Sequence, residues 1–311
     1  MLANFLEKSK PINFIVYLGL FFCFFFGKIT FTLFSGDITL YKAFESILFV
    51  FLFLSVFFFF NFIVTKNKLT LDHSYAFYLF TLAVTLFFSA LFDFKSITLV
   101  IIYLLFLRKA YSLRSSKNMI QKIFDGGFWL GIMFLLEPFS ILFSIVLCVA
   151  ILAYQKITVN TIISPIIGFV APLIIYFTYL LWNNSPEQFN QLFNFIPGNQ
   201  PFIYDKNHSV WILIFAVFLF LTTVSIVLKS PKAFSINNFF RKSWIVLIIN
   251  SMIAVVFALL TSEKNGSEII FFLIPGCIII ANGFEVVKKR ILKNILFGLL
   301  LLGTIVTLYF L

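Results

Sequence analysis

Apolar residues run along this chain in eleven long stretches, separated by short breaks of charged or turn-forming residues. The stretches cover residues 12–34, 46–64, 75–92, 96–107, 123–136, 139–155, 157–182, 209–228, 243–261, 269–287 and 294–311. A hydrocarbon core roughly 30 Å thick takes about 20 apolar residues of helix, and in lipid a helix lets one segment satisfy all of its own backbone groups. The pattern therefore predicts an all-α fold: a polytopic transmembrane helical bundle of about eleven spans. Stretches 96–107 and 123–136 are the short ones, reaching only about 18 to 21 Å at 1.5 Å per residue, so they thin the bilayer or re-enter it.

The basic residues test this division, because Lys and Arg concentrate in cytoplasmic loops. With the N-terminus cytoplasmic, 18 of the 23 basic residues fall inside, and only Lys28, Lys42, Lys95, Lys206 and Lys264 fall outside. If neither short stretch crossed, the five basic residues between Arg108 and Lys122 would move outside, which favours crossing. The C-terminus then lies on the far, periplasmic side. The apolar run from Pro11 to Phe34 exceeds the 7–15 residues of a signal-peptide core, so the first span is expected to remain as an anchor.

Composition agrees: 61% of residues are apolar, 11% are charged and the mean hydropathy is +1.06, far from the balance of soluble domains. No Gly-, Ser- or Pro-rich linker interrupts the chain, which predicts one integral membrane domain over residues 1–311. The net charge of +11 is accounted for by cytoplasmic flanks facing anionic membrane lipids, so no nucleic-acid partner is called for. Cys23, Cys148 and Cys277 lie far apart in apolar runs and form neither a disulfide framework nor a metal knuckle. The 48 Phe residues could line a path for a lipid chain; the plainer account is that lipid-facing positions accept any large apolar side chain.

Eight of the twelve acidic residues fall outside, and this directs the search for chemistry to that face. In the first outer loop, Asp37 follows the first span and Glu45 precedes the second. Carboxylates at such a boundary can act as general bases, or bind a divalent cation through oxygen, although no cofactor or metal is indicated. The competing account makes Asp37 a turn residue after Gly36 and Glu45 a dipole-favoured residue at a helix start. Lys28 and Lys42 could hold a lipid phosphate, or Lys28 could simply snorkel to the headgroups.

The outer loop 183–209 is the one sizeable polar segment. Phe189, Leu192, Phe193 and Ile196 recur at helical spacing, so residues 186–196 should form a short amphipathic helix on the membrane or on the bundle. Asp205 and His208 could form an acid–base or metal pair, or belong to a plain linker. Glu137, followed by Pro138, sits at a tight outer turn, where an ionisable group at membrane depth is a functional candidate. Gly127 and Gly131 make a GxxxG spacing suited to close helix packing. Walker A, HExxH and GxSxG motifs are absent, as are the paired interrupted helices of ion-coupled transporters.

The stretch from Phe92 to Pro172 resembles the middle of membrane glycosyltransferases of the GT-C class. Its elements are the basic loop Arg108 to Lys122, the run Phe124-Asp-Gly-Gly-Phe-Trp-Leu-Gly-Ile-Met-Phe-Leu-Leu-Glu-Pro138, an apolar helix, a basic turn and a Pro-containing helix. The resemblance implies transfer of a sugar from a polyprenyl-phosphate donor at the outer face, with a catalytic Asp in the first outer loop, where Asp37 stands. That loop is only about eleven residues long here and no large soluble domain follows, which leaves a non-catalytic relative as the alternative. The whole chain, opening Lys8-Ser-Lys-Pro-Ile-Asn-Phe14, is also similar to polytopic inner-membrane proteins of Bacteroidota without assigned activity, which implies the bacterial inner membrane. Three functions compete: an enzyme of polyprenyl-phosphate-linked sugars, a structural subunit of an envelope complex docking other envelope proteins through the outer loop and GxxxG face, and a lipid or solute transporter.

Overall fold

A computed structural model describes residues 5–7, 11–34, 40–115, 117–154, 157–193, 195, 206–261 and 264–310, the side chains of 11, 30–34, 206–209 and 308–310 excepted. Its helices, numbered in chain order, are α1 (Pro11–Phe34), α2 (Leu40–Lys66), α3 (Tyr75–Leu86), α4 (Phe88–Leu91), α5 (Phe94–Ser112), α6 (Met119–Leu136), α7 (Ser144–Tyr154), α8 (Val159–Trp182), α9 (Glu187–Gln191), α10 (Lys206–Ile236), α11 (Asn238–Leu260), α12 (Ser267–Val286) and α13 (Arg290–Phe310). A 3-10 helix, Pro138–Phe143, precedes α7. No strand occurs among the described residues.

Every predicted stretch coincides with helix. Eight helices, α1, α2, α6, α8, α10, α11, α12 and α13, are long and apolar enough to cross a bilayer. The remaining three stretches differ for local reasons. Residues 75–92 are broken at Phe87 between α3 and α4, and 139–155 begin as 3-10 helix. The third, α5, has 19 residues but carries Lys95, Arg108 and Lys109. The two short stretches are also longer than hydropathy suggested: α5 and α6 have 19 and 18 residues, about 27 to 28 Å of helix, because charged and polar residues extend each at its basic end.

Local chemistry sets several of the breaks. The residue before a proline is driven to extended backbone, and Glu137, ahead of Pro138, has φ −146° and ψ 103°. Its N–H still bonds the Met133 carbonyl at 2.8 Å, so α6 closes and reverses without a loop. At the start of α8, Thr158 Oγ1 accepts from the Thr161 N–H, and Thr161 Oγ1 accepts from the Thr158 N–H at 2.8 Å. Asn237 Oδ1 caps α11 by accepting from the Phe240 N–H at 2.7 Å.

The chain divides into two compact units: residues 1–97, 205–229 and 276–311 form one, and residues 98–204 and 230–275 the other. The first has an aromatic core. Along α2, Phe49, Phe53, Phe57 and Phe60 are buried, while Phe51 and Phe58 are 61% and 59% exposed. Phe53 stacks on Phe88 at 5.6 Å and Phe60 on Phe80 at 3.8 Å. The phenylalanine runs are therefore divided by the 3.6-residue period, with one face packing the core; lipid-facing tolerance explains only the other.

Loop 67–74 of this unit is tied down by polar contacts. Ser74 donates from its N–H and its Oγ to the Leu6 carbonyl, at 3.0 and 3.1 Å. Asn282 Nδ2 donates to the Leu69 carbonyl at 3.0 Å. Glu285 Oε2 accepts from Lys229 Nζ at 2.8 Å and lies 3.7 Å from His73 Nε2, whose ring stacks on Tyr75 at 4.3 Å. Lys229, expected as a solvated cytoplasmic flank, is 1% exposed. Part of the positive charge thus serves buried pairing and does not face lipid headgroups.

In the second unit, α6 packs on α8 through three glycines. A Cβ on Gly127 would collide with the Pro165 carbonyl, one on Gly131 with the Phe169 carbonyl, and one on Gly168 with the Phe124 carbonyl. The GxxxG face is consumed inside this unit and is not a free docking surface for a partner protein. Behind it, Tyr103 OH donates to Asn250 Oδ1 at 2.9 Å, and Asn250 Nδ2 donates to Tyr111 OH at 3.3 Å, all three residues being buried.

Two outcomes follow from this packing. Gly168→Ala and Gly127→Ala destabilise by about 1–3 kcal/mol, since the colliding atoms are backbone, whereas Gly303→Ala, whose Cβ meets nothing within 4 Å, does not; thermal unfolding in detergent measures the difference. Glu285→Gln leaves buried Lys229 without its carboxylate, a loss of about 3–5 kcal/mol for a broken buried pair, and the same assay on Lys229→Met/Glu285→Gln should recover part of it.

Candidate functional site

The residues singled out in the sequence divide sharply in the structure. Asp37 and Asp205 lie outside the described residues, and of His208 only the backbone, in the first turn of α10, is described. Lys28 is half-buried on α1, less than two turns from its end. Helix α2 begins at Leu40, so Lys42 and Glu45 stand on its first two turns at i and i+3, and not in a loop; Lys42 is exposed and Glu45 half-buried. The earlier start follows from the sequence Leu40-Tyr-Lys-Ala-Phe-Glu45, which has no breaker and places apolar residues at helical spacing. The structure brings Lys42 and Glu45 onto one helix face and gives no shared geometry for them with Asp37, Asp205 or His208.

The second unit contains a polar cluster that the sequence only hinted at. Glu137, at the α6 turn, is 5% exposed, and Ser140, in the 3-10 helix, is fully buried. Glu268, in the first turn of α12, is 7% exposed. Lys264, in the connection between α11 and α12, donates from Nζ to the Ala258 carbonyl at 2.6 Å and to the Leu259 carbonyl at 2.9 Å, capping the C-terminus of α11. Burial pushes the Lys264 ammonium below its ordinary pKa, and the nearby carboxylates of Glu268 and Glu137 push it back up. Both carboxyls therefore lie within electrostatic reach of one lysine.

Among the described residues, one lysine lies within reach of two buried carboxyls, and Glu268 Oε2 and Ser140 Oγ make no hydrogen bond there. A buried carboxyl with an open oxygen near a lysine can take or give a proton, and the lysine offers a point charge for an anion. Three phenylalanines of the segment after α8 pack in the same unit: Phe189 meets Phe177 at 5.0 Å, Phe193 meets Phe134 at 5.8 Å, and Phe195 meets Phe139 at 5.9 Å. Phe134 and Phe139 flank Glu137 in sequence, so this aromatic face lies against the segment that carries it.

Sequence reasoning reached Glu137 through its membrane depth and missed its partners. Lys264 and Glu268 read as ordinary loop and helix-start residues, and no spacing rule links positions roughly 130 residues apart. Among the described residues, no three His, Cys, Asp or Glu side chains converge as metal ligands.

No curated protein and no solved structure matches the chain. One protein family does match, over residues 1–311, and its description is a family of unknown function. The chain, with eight helices among its described residues long and apolar enough to cross a membrane, therefore belongs to the DUF6427 family.

Proposed function

We propose that this protein acts on polyprenyl-phosphate-linked sugars at the outer face of the bacterial inner membrane, in the manner of GT-C-class enzymes. The observation that carries the reading is the cluster of buried Glu137 and Glu268 around half-buried Lys264. Its first member belongs to the Phe92-to-Pro172 stretch that resembles that class. In the orientation favoured by the basic loops, with all eleven helical stretches crossing, all three residues stand at the periplasmic ends of their helices.

A sugar transfer from a lipid phosphate needs a base for the acceptor hydroxyl and a cation for the departing phosphate. Glu268, with an oxygen free of hydrogen bonds among the described residues, suits the base, Lys264 suits the phosphate, and Glu137 acts on that lysine. The resemblance names a separate alternative in the first unit, with Asp37 as the base and Lys28 and Lys42 as the phosphate contacts. The outer loop 183–209 would cover the acceptor. The docking-subunit alternative loses one of its two surfaces, because the GxxxG face is packed within its own unit.

Complementation of a deletion strain, read as surface glycan on gels, separates the candidates. Glu268→Gln and Glu137→Gln are expected to lower glycan synthesis by about 10²- to 10⁴-fold, the usual contribution of a general acid or base, with the protein still present in the membrane at normal level. Asp37→Asn tests the resemblance in the same strain. Full glycan from all three variants would remove the enzymatic reading.

A further inference from the structure

The first unit carries a second feature, independent of the glycan reading: an elongated apolar groove of about 360 Å³, within the size range of ligand sites. It runs along α3, α10 and α13, with Leu79, Val217, Phe284, Leu299 and Gly303 among its walls. It opens sideways, since Leu213, Leu299 and Val217 are 62%, 59% and 45% exposed. On helices of this length and apolarity, such a side opening faces lipid chains. The hollow exists because α13 has no side chain at Gly303, where a Cβ would meet nothing within 4 Å. Thr304 and Thr307 also line it, but their hydroxyls donate to carbonyls of their own helix, so these two side chains keep no donor for a polar guest.

One end of the groove is basic. Lys288, Lys289, Arg290 and Lys293 fall within six residues at the start of α13. Lys293 is one turn from the groove-lining Leu296, on the same helix face, and its ammonium lies 5.5 Å from the centre of the Tyr75 ring. Tyr75 is in turn four residues before Leu79, another wall of the groove. Buried Phe297 closes the floor there, packing on Tyr75 at 5.0 Å and Phe284 at 5.1 Å and accepting from Tyr78 OH at its carbonyl. Glu7 and Glu285 also reach Tyr75, but Glu285 is paired with Lys229. With Lys288, Lys289, Arg290 and Lys293 close by, the groove suits a guest that is apolar along its length and anionic at the Lys293 end.

We propose that this groove holds one chain of an anionic bilayer phospholipid, whose phosphate rests on Lys293 and Arg290. Basic residues at the ends of transmembrane helices recognise anionic headgroups, and here the chain slot beside them adds selectivity for the intact lipid. Arg290 reaches the headgroup from an exposed position, its contact with Glu7 being long at 3.9 Å.

The test is native mass spectrometry on the full chain in mild detergent, titrated with dioleoylphosphatidylglycerol or dioleoylphosphatidylcholine. One phosphatidylglycerol per chain is expected to persist, about fivefold or more over phosphatidylcholine. Lys293→Gln should lower that preference by about fivefold, in line with one basic residue at an anionic surface. Gly303→Phe fills the groove and should abolish the retained lipid; Val217→Trp does so from the opposite wall and guards against a folding artefact of the first variant. Equal retention of the two lipids, retention unchanged in both groove variants, or displacement by sn-glycerol 3-phosphate, which has the phosphate without the chains, would overturn the proposal.

Discussion

In lipid, two apolar helices gain little hydrophobic energy by meeting, because the surrounding chains are as apolar as their side chains. What remains is fit, and the rest of this molecule depends on it. Where α6 meets α8, Gly127, Gly131 and Gly168 remove every side chain between two backbones, so the helices approach until carbonyl and Cα touch. That contact fixes the end of α6, and with it the Glu137–Pro138 turn and the 3-10 helix that follows. The position of the candidate carboxyl is thus set by residues with no chemistry of their own. The first unit solves the same problem with rings, whose edge-to-face and stacked contacts along α1, α2 and α3 supply interlocking shape where glycines would leave space.

Charge is handled differently in the two units, and the contrast separates structure from chemistry. Lys229 is enclosed, meets one carboxylate at 2.8 Å and lies in a network that ties loop 67–74 to neighbouring helices. Such a pair is compensated and has little left to offer a substrate. Lys264 instead spends its hydrogen bonds on the end of α11 and stands between two carboxyls, one with an open oxygen. Retaining two buried carboxyls at the ends of apolar helices is costly, and it is this cost that marks the cluster as a candidate site.

The cluster in the second unit gathers polar side chains at helix ends. The groove of the first unit calls for a different molecule, since its cationic end lies with the basic loops and its walls accept only a chain. Belonging to the DUF6427 family assigns neither role, so each stands on the chemistry of its own side chains.

The sequence by itself determined the helices. Backbone groups in hydrocarbon must be satisfied within the segment, so the apolar stretches became helical, and Glu137 followed by Pro138 marked a turn. Gly127 and Gly131 announced close packing, and Glu137-Pro138 announced a buried acid. Only the tertiary structure decided which face of each phenylalanine run is core, that Lys229 is buried, and that Lys264 and Glu268 join Glu137, because these are contacts between residues far apart in a chain whose apolar helices look alike on every side. Helical periodicity is read from polarity, and where polarity is nearly uniform around the helix, shape alone chooses the face that packs.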